Sequence, residues 1–158
     1  MTAIYLTLTG ETQGQVKGNV GAAGHEDKIE VYGFSHEVDS PRDAASGLPT
    51  GKRQHTPISI EKPVDKSTPI LYSILVSNEN ITELKLEFWG PDRSTGKEVL
   101  YYTVELQNAS ISNIGEKSSV LGSPPNFTDQ VSFTYQKIIW TWNDGGITAE
   151  DDWETPVA

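Results

Sequence analysis

Three histidines are the first residues of this sequence that could do chemistry. His25, His36 and His55 are each isolated along the chain. A zinc-binding helix needs two histidines four residues apart with a glutamate between them. His25 is followed by two acidic residues, Glu26 and Asp27, but it lies between Gly24 and a predicted strand. The spacing therefore favours an ordinary polar entry to a strand over a metal site.

Nucleophiles and phosphate-binding loops give no stronger signal. A serine hydrolase of the α/β type carries a Gly-x-Ser-x-Gly elbow, and this motif is absent from the sequence. The chain has no cysteine, which excludes disulfides, thiolate catalysis and cysteine-ligated zinc. The sequence thus predicts a protein that is not an enzyme and that needs no metal or cofactor.

Acidic and aromatic residues near the C-terminal end are the remaining candidates. Four carboxylates gather there, at Asp144, Glu150, Asp151 and Asp152. They lack the alternating spacing of a calcium loop, so a solvated acidic segment is the favoured interpretation. Trp140 and Trp142 share one face of a predicted strand. Such a pair can stack sugars or bases, but core packing is its more common use.

The composition limits the classes of partner. The chain has 158 residues, with 12 Lys and Arg against 22 Asp and Glu, and a formal charge of −10. Nucleic acids and anionic membranes attract clustered cations, so the charge argues against both. The length suits one domain over residues 1–158. Neither an 18-residue apolar stretch nor a signal peptide is recognised, which predicts cytoplasmic synthesis without membrane insertion.

Alternating apolar and polar residues predict a mainly β fold. Ile4, Leu6 and Leu8 alternate with polar residues, as in a half-buried strand. Strand character recurs in residues 28–38, 56–61, 83–88, 99–106, 109–114 and 130–142. These segments predict a sheet or a barrel.

One segment has a helical pattern instead. Its apolar residues form the stripe of an amphipathic helix, at Ile70, Leu71, Ile74 and Leu75. Ser67 or Thr68 can cap the helix, and Pro69 suits its first turn. We expect one α-helix from about Thr68 to Ser77, covering an open side of the sheet or barrel.

Several blocks of this sequence together resemble one protein family. They are Ala3-Ile-Tyr-Leu-Thr-Leu8, Gly24-His-Glu-Asp-Lys-Ile29, His55-Thr-Pro57, Asp65-Lys-Ser-Thr-Pro-Ile-Leu71 and Phe133-Thr-Tyr-Gln-Lys-Ile-Ile-Trp140. Their order and spacing, with the closing Asp152-Trp153, resemble the haemolysin-coregulated proteins (Hcp) of bacterial type VI secretion. The resemblance runs over nearly the whole chain.

The resemblance implies a β-barrel-like domain of two antiparallel sheets with one short helix. It implies a homohexamer: rings of six stack into a tube, with a spike protein at its tip and sheath and baseplate components around it. Small effector proteins are carried or chaperoned in the lumen. The chain is then expected to assemble in the cytoplasm and to leave the cell through type VI secretion.

The resemblance also assigns a role to Ser35. Alternation over residues 28–38 puts Tyr32, Phe34 and Val38 on one face, which its aromatic residues favour for the core. Ser35 and Glu37 then lie on the opposite face. In the resemblance, Ser35 falls on the strand position that faces the lumen and touches cargo, so we expect Ser35 and Glu37 on the lumen wall or at the subunit seam.

The loop from Ser40 to Lys52 is the candidate for contacts between subunits or between stacked rings. Arg42, Lys52 and the adjoining Arg53 supply a quarter of the 12 cations. Cations that face an acidic neighbour would let like-charged rings meet. A surface loop with no contact role is the alternative.

Two other classes of protein stay open at this point. A small carbohydrate-binding β module would use Trp140 or Trp142 on an exposed face. A cupin-like metal enzyme would need two or more converging histidines.

Overall fold

The computed structural model describes residues 2–121 and 126–152. In chain order its elements are β1 (Ala3–Gly10), β2 (Gly14–Val16), β3 (Ile29–Val31), β4 (Gly33–Ser35), β5 (Val38–Asp39), β6 (Gln54–His55), β7 (Ile58–Pro63), α1 (Thr68–Val76), β8 (Ile81–Pro91), β9 (Glu98–Ser119), β10 (Asn126–Trp142) and β11 (Ile147–Asp152). Trp153 of the family-like closing pair lies outside the described residues. The single domain over residues 1–158 stays a prediction.

All strand pairings are antiparallel, and they form two sheets. Nine strands make the larger sheet in the order β2-β1-β8-β9-β10-β7-β4, with β3 also on β1 and β11 also on β10. Strands β5 and β6 form the small second sheet. The predicted mainly β fold of two antiparallel sheets and one helix is confirmed.

The large sheet curls into a barrel-like shape because one short segment connects its two ends. Strand β3 pairs with β1, whereas β4 pairs with β7 at the far end of the strand order. Only Tyr32 separates β3 from β4, and its amide N–H donates to the carbonyl oxygen of Glu61 at 2.6 Å. The sheet is therefore drawn round on itself without closing.

This crossing corrects the predicted alternation over residues 28–38, which was wrong as a continuous pattern. Tyr32, predicted for the core face, is 57% exposed, whereas the preceding residue, Val31, is buried at 5% exposure. Phe34 does pack against the core, because the chain restarts its alternation when it joins β7. Val38 is exposed rather than in the core.

The core lies inside the curled sheet, and alternation places its residues there. Leu6 and Leu8 of β1 are buried as predicted. The predicted strands 99–106 and 109–114 are one long strand, β9. The apparent break is Asn108, whose φ of +51° distorts the strand locally without ending it.

Helix α1 covers the core as expected, one residue shorter than predicted. Leu71 and Ile74 are buried, while Ile70 and Leu75 are half-buried against the core. Pro69 lies in the first turn. Ser67 is the N-cap residue, one of the two that were predicted, but its side chain makes no capping hydrogen bond. Its hydroxyl instead donates to the carboxylate of Asp65.

Within residues 2–121 and 126–152, no helix combines the length and apolar character needed to cross a bilayer.

Candidate functional site: a polar sheet face

A row of small polar side chains crosses four neighbouring strands on the side of the sheet that faces away from the core. Ser35 of β4 lies opposite Ser59 of β7, and Ser59 lies opposite Ser132 of β10. Asn113 of β9 extends the row. The hydroxyl oxygens of Ser59 and Ser132 are 3.0 Å apart, so the row is hydrogen-bonded across strands. We call these four residues the serine row.

A second row follows beside it. Gly33, Glu61, Gln130 and Gly115 lie opposite one another across the same four strands. Together the two rows form what we call the polar face. An open pocket of about 440 Å³ lies against this face, and Ser35, Ser59, Glu61, Gln130 and Gly115 are among its lining residues. The face offers hydroxyl, amide and carboxylate groups to a partner.

Ser35 and Glu37 are both exposed. Ser35 is part of the serine row, whereas Glu37 lies just beyond β4, where its carbonyl oxygen accepts from the amide of Thr56 at 3.1 Å. The sequence alone missed Ser59 and Ser132, because their place beside Ser35 depends on strand register. The roles predicted for Ser35 and Glu37 stay predictions at this point.

The loop from Ser40 to Lys52 has its own local structure. Arg42 and Pro49 form an isolated antiparallel β-bridge through their backbones. The carboxylate of Asp43 accepts from the hydroxyl and the amide of Ser46, at 2.7 and 2.8 Å, and these hydrogen bonds lower the pKa of Asp43. Arg42 and Lys52 are exposed.

Arg53, the third cation of the predicted contact, is used within the subunit. Its guanidinium donates to both carboxylate oxygens of Asp151 at 2.7 Å, and to the carbonyl oxygen of Asp152 at 2.7 Å. The hydrogen bonds from Arg53 lower the pKa of Asp151. Arg53 thus fastens the end of the loop to β11.

His55 extends this cluster into the protein. Its Nε2 lies 2.6 Å from Asp151 Oδ2, and its Nδ1 lies 2.7 Å from the hydroxyl of Tyr135. Burial raises the pKa of Tyr135 well above its usual range, so this phenol is a poor acid. The contacts join residues 80 and 96 positions apart, and no local sequence signal reveals them. The cluster is suited to holding β6, β10 and β11 together.

His36 also lies near Tyr135. The ring centroids of His36 and Tyr135 are 6.4 Å apart, and Trp140 Nε1 donates to His36 Nε2 at 3.3 Å. His36 and His55 are therefore both neighbours of Tyr135. However, within the described ranges no three residues of the types His, Cys, Asp or Glu come together as a metal site.

His25 is also placed in the interior, rather than at an open strand entry. It is 5% exposed, stacks on Tyr5 and meets the edge of Trp89. Its Nε2 contacts the carboxylate of Glu98. The two aromatic candidates for sugar binding also differ, because Trp140 packs against the core whereas Trp142 is 43% exposed and stacks on Tyr101.

The structure also contains a buried charge cluster that the sequence patterns did not predict. Lys62 is fully buried, and its ammonium contacts Asp129 at 2.9 Å, Asp65 at 3.2 Å and the hydroxyl of Thr68 at 3.0 Å. Thr68 also donates to Asp129 at 2.6 Å. The cluster fastens the start of α1 to β7 and β10. A signal was present, because Lys62 continues the inward-facing series of Ile58 and Ile60.

Comparison with known proteins identifies the family. A family model described as "Type VI secretion system effector, Hcp" matches residues 5–142. The Major exported protein of Pseudomonas aeruginosa is 39% identical over 170 aligned residues, which cover 99% of this chain and 98% of that protein.

Solved structures agree. Hcp1 from Escherichia coli (EAEC 042 pathovar) superposes with a TM-score of 0.85 at 30% identity, covering 96% of this chain and 98% of that one. The secreted protein Hcp3 of Pseudomonas aeruginosa gives 0.82 at 30% identity, covering 98% and 100%. The family is structural and secreted, not enzymatic, and these relatives support neither a sugar-binding module nor a cupin-like enzyme. The chain belongs to the Hcp family and is a self-assembling tube component that the type VI secretion system exports.

Proposed function

We propose that six copies of this chain close into a ring whose lumen is lined by the polar face, and that the rings stack into the exported tube. The spike protein, the sheath and baseplate components and small effector proteins are the partners in this proposal. Assembly takes place in the cytoplasm, and export through the machine needs no signal peptide.

The observation that carries the ring is a pair of open strand edges on either side of the polar face. Strand β9 leaves β8 after Ala109, so residues 110–119 pair only with β10 within the described part of the chain. At the other side, β7 is the one strand among the described residues that pairs with β4. An open edge is a template for pairing with another chain. Two different edges flanking one face suit a head-to-tail ring, in which each subunit presents two different surfaces.

The net charge of the subunits affects how readily the rings stack on one another. Six subunits at −10 each give a ring of roughly −60, which favours separate rings in dilute solution at low salt. Arg42 and Lys52 on the exposed loop are the proposed contacts to an acidic neighbour. Arg53 supports them indirectly, because it holds the end of the loop against β11.

The mass in solution tests the ring. Light scattering at low salt is expected to give six times the subunit mass of 17.3 kDa, roughly 104 kDa. A monodisperse species of 17.3 kDa at high protein concentration would contradict the proposal.

Ser35→Gln tests the lumen wall. The substitution places a bulkier side chain on the polar face, and it is expected to reduce the amount of small effector protein that remains bound to the purified ring. Because Ser35 is exposed, the fold and the ring mass should not change. Ser94→Gln, in the exposed turn before β9, is the matched control and should retain effectors normally. Loss of folding in Ser35→Gln would show that the side chain belongs to the core.

A further inference from the structure

His36 occupies a critical position in the proposed ring. It lies between β4 and β5, directly after Ser35 and directly before Glu37. Strand β4 is only three residues long and provides one of the two open edges. A group that holds or releases this segment would therefore control both the edge and part of the polar face.

The hydrogen bonding of His36 requires a neutral ring. Trp140 Nε1–H donates to His36 Nε2, so the imidazole proton of the neutral ring resides on Nδ1. That Nδ1 is buried and has no hydrogen-bond partner among the described residues. Protonation would place a hydrogen on Nε2 facing the Trp140 N–H, and the hydrogen bond between them would be lost.

Among the described residues, no carboxylate forms an ion pair or hydrogen bond with His36, and its neighbours are mainly aromatic. Phe34 lies 6.2 Å away and Tyr135 6.4 Å away, measured between ring centroids. Tyr135 uses its hydroxyl on His55, whose Nε2 is in turn bound to Asp151. Burial, with a smaller contribution from His55, lowers the pKa of His36. Glu37, the adjacent acidic residue in the chain, is exposed.

We propose that the contact between His36 and Trp140 is an acid-sensitive latch, which holds β4 in place for ring closure at neutral pH and releases it in acid. The inference rests on the proposed function, since it concerns an edge of the ring.

The direction of the pH effect follows from the difference in proton binding between the held and the released segment. In the released segment His36 is solvated and regains an ordinary pKa near 6.5. Release therefore takes up a proton, and it becomes more favourable as the pH falls below about 6.5. The overall charge works in the opposite direction, because acid makes each subunit less negative and reduces the repulsion between copies. Dissociation in acid would thus not be a general charge effect.

The test is the mass of the rings between pH 8 and pH 5, measured for wild type, His36→Gln and His25→Gln. Glutamine offers an acceptor near the position of Nε2 and does not titrate. Wild-type rings are expected to fall from six subunits towards one, whereas His36→Gln rings persist at pH 5. His25 is the matched control because its ring contacts Tyr5, Trp89 and Glu98 rather than β4 or Trp140, so His25→Gln should dissociate like wild type.

Each possible result supports or overturns the latch. Wild-type rings that survive at pH 5, or His36→Gln rings that dissociate in parallel, would overturn the latch and leave the proposed ring intact. A monomer at pH 8 would refute the ring, and the latch is then decided by tryptophan emission. Between pH 7 and pH 5 the latch requires a change in emission that Trp140→Phe lacks. The same measurement decides the latch if His36→Gln does not fold.

Discussion

Replacing Lys62 with methionine is expected to lower the free energy of unfolding by about 3–5 kcal/mol, because it leaves two buried carboxylates without their cation. The side chains of Lys62, Asp65 and Asp129 are 0%, 2% and 1% exposed. Methionine is similar in length and fills most of the space, so the loss comes mainly from charge rather than from a cavity. Urea unfolding followed by circular dichroism measures it.

Two further variants separate this effect from a general loss of charge. Lys137→Met removes a lysine from an ion pair with the 60% exposed side chain of Glu150, and the cost should be below about 1 kcal/mol. The triple variant Lys62→Met, Asp65→Asn, Asp129→Asn removes the unpaired charges as well and should recover part of the stability. A stable single Lys62→Met variant would show that the cluster does not hold the start of α1.

Local residue patterns predicted those strands and helices that bury one continuous face. The alternation of Leu6 and Leu8 in β1 and the stripe that includes Leu71 and Ile74 in α1 each follow from one buried face. Burial of such a face depends on residues two, three or four positions apart. The sequence therefore carries this information within a short window.

The failures occur where a distant part of the chain determines the geometry. The alternation over residues 28–38 is interrupted at Tyr32, because the chain there leaves β1 and joins β7. Lys62 has the inward position that its strand predicts, but its partner Asp129 lies 67 residues further along the chain. No periodicity reports that distance.

The candidate site divides in the same way. Ser35 and Glu37 are exposed and their lumen roles stay predictions, whereas the serine row depends on the register between β4, β7 and β10. Arg53 was grouped with Arg42 and Lys52 because they are close in sequence. Its guanidinium instead binds Asp151, 98 residues away. Proximity in sequence is a weak guide to which cations share a surface.

Helix α1 is held by two different anchors, the buried charges at its start and apolar packing along its length, and Leu71→Ala tests the second. Leu71 is 1% exposed and belongs to the core under the helix, so the substitution should lower the free energy of unfolding by about 2–5 kcal/mol through the lost contacts and the cavity left behind. Val76→Ala on the same helix is the matched control, because Val76 is 78% exposed and its loss should stay within about 0.5 kcal/mol.

The two anchors are separate contacts, so Leu71→Ala and Lys62→Met should each reduce the midpoint of urea unfolding. An unchanged midpoint in Leu71→Ala would mean that the charge cluster alone fixes the helix to the sheet.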